Sequence, residues 1–224
     1  MTTTLDTRIA AVSRTEGSRT IFGRLLAPIG GLGLVAGLIA LMVSPASDDT
    51  GETPAEVVVY AASHESWNVA ILLFGLASVA LGGLFTAGLY TRLRPVATET
   101  ESVLVLIGGI VFALCFALCW ILWMAPLVDM PDDPARAIAQ AEAYLGYDDV
   151  GWFLLGTAGV AAALMIVPAS IAAMRGGLPA WLGWLGVVAG IASLGTVAFL
   201  GMFAWMTWIA VAAILMLVRK RDVA

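Results

Sequence analysis

The chain is poor in charge and in the residues that bind metals or form disulfides. Only 12% of its 224 residues are charged, and it has one histidine and two cysteines. Globular proteins carry about 25% charged residues, so this sequence has about half the charged fraction of a protein with a water-exposed surface. Two cysteines cannot build a disulfide scaffold. The 11 basic residues, set against 16 acidic ones, exclude a nucleic-acid-binding protein.

No Asp, Glu, Lys, Arg or His occurs inside the long apolar runs of the sequence. Proton- and ion-coupled carriers generally keep such groups at membrane depth. Haem b needs axial histidines, zinc hydrolases need several His or Asp ligands, and Ser–His proteases need a histidine beside the nucleophile. The residue types therefore disfavour all of these classes, and no cofactor is expected. Sodium sites built from carbonyl and hydroxyl oxygens stay open.

The sequence is rich in apolar residues, which make up 61% of the chain. A helix needs about 20 mostly apolar residues to cross the hydrocarbon of a bilayer. The last uncharged stretch, 178–218, is about twice that length, so we predict that it folds back near Gly201. The sequence thus predicts an all-α membrane protein, a six-transmembrane-helix bundle over residues 25–221. Its spans are 25–44, 68–91, 103–126, 150–174, 179–199 and 202–218.

The distribution of charge agrees with six spans. With a cytoplasmic N-terminus, the polar tail 1–24, the C-terminus and two short loops lie inside and hold every basic residue except Arg136. Basic residues favour the cytoplasmic side of a membrane. We therefore predict a multi-pass protein of the cell membrane with both termini cytoplasmic. We also expect the 1–24 tail to precede an uncleaved anchor.

Two outer loops carry signals for short amphipathic helices. Thr53-Pro54 provides an N-cap followed by proline at the first helical position. Its helix would place Val57, Val58, Ala61 and Ala62 on one apolar side. The same signal at Asp133-Pro134 predicts a second helix over 135–145 that ends at Gly146. We expect both helices to lie on the outer membrane face.

Small residues and tryptophans mark two further features of the spans. Small side chains let membrane helices approach closely, and they recur at helical spacing in four groups: Gly33 with Gly37, Ser78 with Gly82, Gly156 with Thr157 and Gly159, and Gly186 with Gly190. Tryptophans prefer the headgroup level, and six lie near predicted span ends: Trp67, Trp120, Trp123, Trp152, Trp181 and Trp184. The first pattern predicts close packing, and the second predicts interfacial anchors.

Two pairs of sulfur-containing side chains are weak candidates for a metal site. Cys115 and Cys119 share a face of the third span, and Met202 and Met206 share a face of the sixth. Thiolates and thioethers suit Cu(I). The alternative interpretation is that these residues are ordinary apolar filler in a helix bundle.

A second metal hypothesis concerns the outer surface. His64 and Glu65 precede the second span, while Asp148 and Asp149 precede the fourth. An imidazole and carboxylates could bind a divalent cation there. The alternative is a solvated acidic rim that enforces the topology.

Three segments resemble a known family. They are the stretch 178–186 (LPAWLGWLG), the stretch 60–64 leading into Trp67, and the stretch 89–94 (LYTRLR). With these the chain resembles a large family of uncharacterised bacterial six-helix integral membrane proteins, a domain of unknown function, over about residues 25–221. The resemblance implies an architecture, a bacterial source and the cell inner membrane, but no activity.

The sequence leaves three functional classes open. The first is a non-catalytic polytopic membrane protein, structural or accessory, alone or as a subunit of a larger membrane complex. The second is a carrier or channel for a small neutral or lipophilic molecule. The third is an enzyme or metal site. The residues favour the first class, because they contain no catalytic constellation.

Overall fold

The computed structural model describes residues 25–40, 42–43, 53–176, 178–195 and 200–218, apart from the side chains of Asp148 and Leu200. These residues form α-helices and one 3-10 turn, with no β-strand among them. The helices are α1 (Leu25–Ala40), α2 (Pro54–Ser63), α3 (Glu65–Leu93), α4 (Glu99–Met124), α5 (Pro134–Arg175), α6 (Ala180–Ser193) and α7 (Leu200–Val218), and the 3-10 turn is Ala125–Leu127. The predicted all-α class is therefore confirmed for the described part of the chain.

Four of these helices are long and apolar enough to cross a membrane by length and composition. They are Glu65–Leu93, Glu99–Leu127 (α4 with the 3-10 turn), Pro134–Arg175 and Gly201–Val218. Two further apolar helices, Leu25–Ala40 and Ala180–Ser193, are shorter. The predicted spans 25–44 and 179–199 each extend into residues outside the described part of the chain.

The predicted start of α2 is confirmed. The Thr53 side chain accepts a hydrogen bond from the Glu56 amide, and the Glu56 carboxylate accepts one from the Thr53 amide. This reciprocal capping box satisfies two amides that the first turn of a helix leaves free. The buried side of α2 consists of Val57, Tyr60 and Ala61, and α5 packs against this helix. The apolar side of α2 therefore contacts protein.

The second loop helix starts where it was predicted to start, but its predicted end at Gly146 is wrong. The Asp133 N-cap and Pro134 start a helix as expected, but this helix is α5, which continues for 42 residues to Arg175. Gly146 does not end it. A glycine ends a helix by adopting a backbone conformation with positive φ, and the glycine that does so here is Gly176, at φ 149°. At 1.5 Å per residue α5 is about 63 Å long, twice the hydrocarbon thickness.

The structure describes the chain on both sides of the predicted fold-back near Gly201. Helix α6 ends at Ser193, and a turn follows at Leu194 and Gly195. Residues 196–199 lie outside the described part of the chain, and Gly201 belongs to α7 (Leu200–Val218). Helix α6 therefore ends earlier than the predicted span 179–199.

Two polar contacts bring four helix termini to one end of the bundle. The Arg175 guanidinium forms an ion pair of 2.6 Å with Glu101, which joins the last turn of α5 to the first turn of α4. Arg92 donates a hydrogen bond of 3.4 Å to the Met216 carbonyl oxygen, which joins the last turns of α3 and α7. We call this end the arginine end and the opposite end, with α2 and the 3-10 turn, the loop end.

The contacts of α1 and α6 give their directions. Ala27 lies against Gly88 and Gly37 lies against Ser78, so α1 runs antiparallel to α3. In the same way Gly183 lies against Met174 and Gly190 against Val167, so α6 runs antiparallel to α5. Helices α1, α3, α4, α5, α6 and α7 thus alternate in direction, and α1 and α6 both begin at the arginine end.

Glycines allow the helices to touch along these contacts. At Gly30 in α1, an added methyl group would overlap the Leu81 carbonyl and the Phe85 amide nitrogen of α3. Gly37 faces Ser78, and Gly82 receives the side chain of Leu34. The predicted small-residue packing is confirmed here, and it joins helices of one chain.

A close backbone contact between α4 and α5 is also made by a glycine. A methyl group on Gly108 would lie 2.6 Å from the Met165 amide nitrogen and 2.8 Å from the Leu164 carbonyl carbon. Pro168 lies inside α5 and has no amide hydrogen to donate to the Leu164 carbonyl. Gly108 therefore packs directly on the backbone of the turn that Pro168 leaves without its usual hydrogen bond.

We expect Gly108→Ala to lower the free energy of unfolding by about 1–3 kcal/mol, the usual cost of overpacking a dense interior. The added methyl group meets backbone atoms of α5, which cannot rotate away as a side chain can. Thermal unfolding of the purified protein in detergent measures the change. Gly83→Ala is the matched control, because no atom of the described residues outside its own helix turn lies within 4 Å of its added methyl group. Equal losses in both variants would contradict this packing.

Candidate functional site

The two cysteines of the copper hypothesis are buried on α4. Cys119 is 1% exposed, and its thiol donates a hydrogen bond of 3.4 Å to the Gly151 carbonyl oxygen in α5. Cys115, one turn earlier, is also buried, and neither cysteine forms a disulfide. Cys119 therefore faces α5.

The two methionines of the same hypothesis are also buried. Met202 and Met206 lie on α7, and Ala213 is seven residues beyond Met206, on the same side of the helix. A methyl group on Gly31 of α1 would lie 2.8 Å from the Ala213 side chain. This side of α7 therefore contacts α1 at Ala213.

Aromatic rings fill the contact between α4 and α7. Trp205 packs edge-to-face against Phe112, with ring centroids 5.0 Å apart, and against Phe116, 6.3 Å apart. Trp120 packs edge-to-face against the other side of Phe116. Such pairs stabilise a core beyond the area that they bury. The indole nitrogens of Trp120 and Trp205 are buried with no hydrogen-bond partner among the described residues.

The expectation that Trp120 is an interfacial anchor is wrong, because this side chain is fully buried in the bundle. Trp67, Trp181 and Trp184 are exposed at helix ends, as anchors require. Position near a span end predicts the depth of a tryptophan in the membrane. It does not predict whether the side chain points to lipid or to another helix.

His64 is engaged locally at the junction of α2 and α3. Its ring stacks on Tyr60, with centroids 4.5 Å apart, and its Nδ1 lies 2.8 Å from the Ser63 hydroxyl and 3.1 Å from the Tyr60 carbonyl oxygen. Glu65 and Asp149 are exposed, and the Asp148 side chain lies outside the described part of the molecule. Within the described residues, no group of three His, Cys, Asp or Glu side chains is arranged to hold a metal ion.

A polar cluster at the loop end was missed by the sequence analysis. Asn68 is fully buried, its side-chain amide donates a hydrogen bond of 3.2 Å to the Leu127 carbonyl oxygen, and its Oδ1 accepts one of 3.5 Å from the Tyr60 hydroxyl. Gln140 donates a bond of 2.8 Å to the Pro126 carbonyl oxygen. Two amides thus bind the 3-10 turn where α4 ends. The only sign of this cluster in the sequence is a lone asparagine, Asn68, at the start of an apolar run.

The buried hydroxyl groups mostly bond to their own helices. Ser78 donates to the Gly75 carbonyl oxygen, Thr86 to that of Gly82, and Ser193 to that of Gly190, over 2.6–3.1 Å. Ser170 in α5 is buried with no partner for its hydroxyl among the described residues. Most of these oxygens therefore serve the backbone of their own turn.

One more junction joins α5, α6 and α7. The Trp208 indole donates a hydrogen bond of 3.3 Å to the Leu182 carbonyl oxygen. A methyl group on Gly186 would overlap both the Ser170 hydroxyl and the Trp208 indole nitrogen. Gly186 therefore lets these two polar groups approach the α6 backbone. The packing predicted for Gly186 and Gly190 is confirmed.

The buried polar side chains of the described residues include five that do not ionise: Asn68, Ser78, Thr86, Ser170 and Ser193. The buried ionisable groups among the same residues are those of Tyr60, Tyr144, Cys115 and Cys119. The Tyr60 hydroxyl donates to Asn68 and the Cys119 thiol donates to the Gly151 carbonyl oxygen, so both bonds join neighbouring helices.

No family model, no curated protein and no solved structure matches the chain.

We expect Asn68→Ala to lower the free energy of unfolding by about 1–3 kcal/mol, because it leaves the buried Leu127 carbonyl oxygen without its donor. Thermal unfolding in detergent measures the loss. Ser66→Ala, an exposed polar position two residues earlier on the same helix, is the control and should leave the midpoint unchanged. A neutral Asn68→Ala would show that this cluster does not hold the loop end together.

Proposed function

We propose that the chain is a non-catalytic polytopic membrane protein, structural or accessory, and a subunit of a larger membrane complex. In this proposal residues 1–24 are a cytoplasmic tail and residues 25–221 are a six-helix transmembrane domain of the cell membrane, with both termini cytoplasmic. Its partners are the lipid bilayer and other membrane protein subunits.

The alternating directions of the helices support six crossings. Helices α1 and α6 contain 16 and 14 residues, which corresponds to about 24 and 21 Å. Both are antiparallel to a helix long enough to cross, and in the sequence the apolar run continues beyond each of them. An even number of crossings returns the chain to the side on which it starts.

The positions of the arginines support the orientation. Arg92, Arg94 and Arg175 are at the arginine end, and Arg136 is near the first turn of α5, at the loop end. Basic residues concentrate on the cytoplasmic side of membrane proteins. The arginine end would therefore face the cytoplasm.

The surface of α4 supports contact with lipid. Its exposed side carries large apolar residues along the whole helix: Val103, Leu106, Ile107, Ile110, Val111, Leu114, Leu118 and Ile121. Such a continuous apolar face is costly in water and suited to hydrocarbon.

The close glycine contacts are the single observation that carries the non-catalytic proposal. At Gly30 and Gly108 the backbones of neighbouring helices touch, which favours a closely packed interior over an open passage. The buried hydroxyls of Ser78, Thr86 and Ser193 are used by their own helices. An interior of this kind favours a fixed scaffold, which acts through its outer surfaces.

We expect the chain, tagged after Ala224 and solubilised in a mild detergent, to co-purify with a membrane protein in fixed stoichiometry. A scaffold without chemistry of its own acts by binding another subunit, and mass spectrometry of the purified complex measures that ratio. A tagged unrelated polytopic protein from the same membranes is the control. Recovery of the chain alone, both with and without chemical cross-linking before solubilisation, would contradict the accessory role.

A further inference from the structure

A buried hydroxyl at the junction of α5, α6 and α7 stands out from the other buried hydroxyls. Ser170 in α5 is fully buried, and its hydroxyl has no hydrogen-bond partner among the described residues. The hydroxyl lies against Gly186 of α6, where an added methyl group would overlap it. A polar group buried without a hydrogen bond destabilises a protein, so the position of this hydroxyl calls for a physical reason.

A hydrogen-bond donor lies beside this hydroxyl. The same methyl group on Gly186 would also overlap the indole nitrogen of Trp208 in α7, so the Ser170 hydroxyl and the Trp208 indole are neighbours across Gly186. The indole is fully buried and donates to the Leu182 carbonyl oxygen over 3.3 Å, which is long for an N–H···O bond. Within α6 the Leu182 carbonyl also accepts the Gly186 amide. The indole thus shares an acceptor that is already used, while an open acceptor lies next to it.

The contact between α5 and α6 places little in the way of a small shift. Glycines of α6 face α5 at three successive turns: Gly183 lies against the Ser170 carbonyl oxygen, Gly186 against its hydroxyl, and Gly190 against Val167. At these positions α6 presents no side chain that interlocks with α5. Sliding of packed helices is a common form of conformational change in proteins.

Glycines also flank α6 along the chain. Gly176, at φ 149°, follows α5 and lies four residues before α6 begins at Ala180. Gly195 lies in the turn after α6 ends at Ser193. Hinges are a few loop or element-terminal residues that absorb changes in φ and ψ, and glycine does so at low steric cost. Helix α6 can therefore move without distorting α5.

We propose that α6 has two positions in the bundle, distinguished by the acceptor of the Trp208 indole. In the position described here the indole donates to the Leu182 carbonyl oxygen. In the second position it donates to the Ser170 hydroxyl oxygen, and the Ser170 hydroxyl donates to a carbonyl of its own helix, as Ser78 and Thr86 do. A shift of about 1–2 Å, which is usual for helices at packed interfaces, moves one donor between adjacent acceptors. This goes beyond the proposed scaffold role, because it makes α6 a moving element of an otherwise fixed bundle.

Nuclear magnetic resonance of the indole N–H groups tests the proposal, using the full chain labelled with ¹⁵N-tryptophan in detergent micelles. Loss of one signal in Trp208→Phe assigns the Trp208 indole. Helix shifts occur in microseconds to milliseconds, so relaxation dispersion should show the Trp208 signal exchanging between two hydrogen-bonded states. Ser170→Ala removes the second acceptor and should abolish this exchange.

Ser78→Ala is the matched control, because it removes a buried hydroxyl that bonds within α3. The exchange of the Trp208 signal should persist in this variant. A Trp208 signal without exchange in the unmodified protein would overturn the proposal, and that measurement needs no variant beyond the one used for assignment. Exchange that persists unchanged in Ser170→Ala would also overturn it. The signals of the other tryptophans show whether each variant keeps the fold.

Discussion

In hydrocarbon the hydrophobic effect does not drive helices together, so they associate through close packing of their backbones. In this chain glycine makes that contact at three of the crossings. Gly30 lets α1 touch the backbone of α3, Gly108 lets α4 touch that of α5, and Gly183 lets α6 approach the Ser170 carbonyl oxygen. The remaining features of the bundle follow from this constraint, because helices in backbone contact leave their polar groups to be satisfied locally.

The polar groups follow this pattern. The buried hydroxyls of Ser78, Thr86 and Ser193 bond to carbonyls of their own helices, and several longer-range polar contacts sit at the two ends of the bundle. At the loop end Asn68 and Gln140 bind the 3-10 turn, and at the arginine end Arg175 pairs with Glu101. Strong polar contacts at the ends and close apolar packing between them suit a molecule whose middle lies in lipid.

The amino-acid pattern was sufficient to predict the helices whose signals are local. The N-caps at Thr53 and Asp133 and the stripes at Gly37 and Gly186 depend on a few neighbouring residues, and all appear as expected. The continuity of α5 through Gly146 could not be predicted, because packing against α2 and the 3-10 turn supports that segment. Which side of a helix meets a neighbour is also a tertiary property. The sequence therefore did not predict the neighbours of Trp120 and of the two cysteines.

Six crossings with a cytoplasmic arginine end form the central claim of this account. The direct measurement is cysteine labelling of intact cells with a membrane-impermeant maleimide, using Glu142→Cys at the loop end and Ala224→Cys after the last helix, with the two buried native cysteines as background. The account predicts that Glu142→Cys is labelled in intact cells, and Ala224→Cys only after the membrane is made permeable. Labelling of Ala224→Cys from outside intact cells would contradict it.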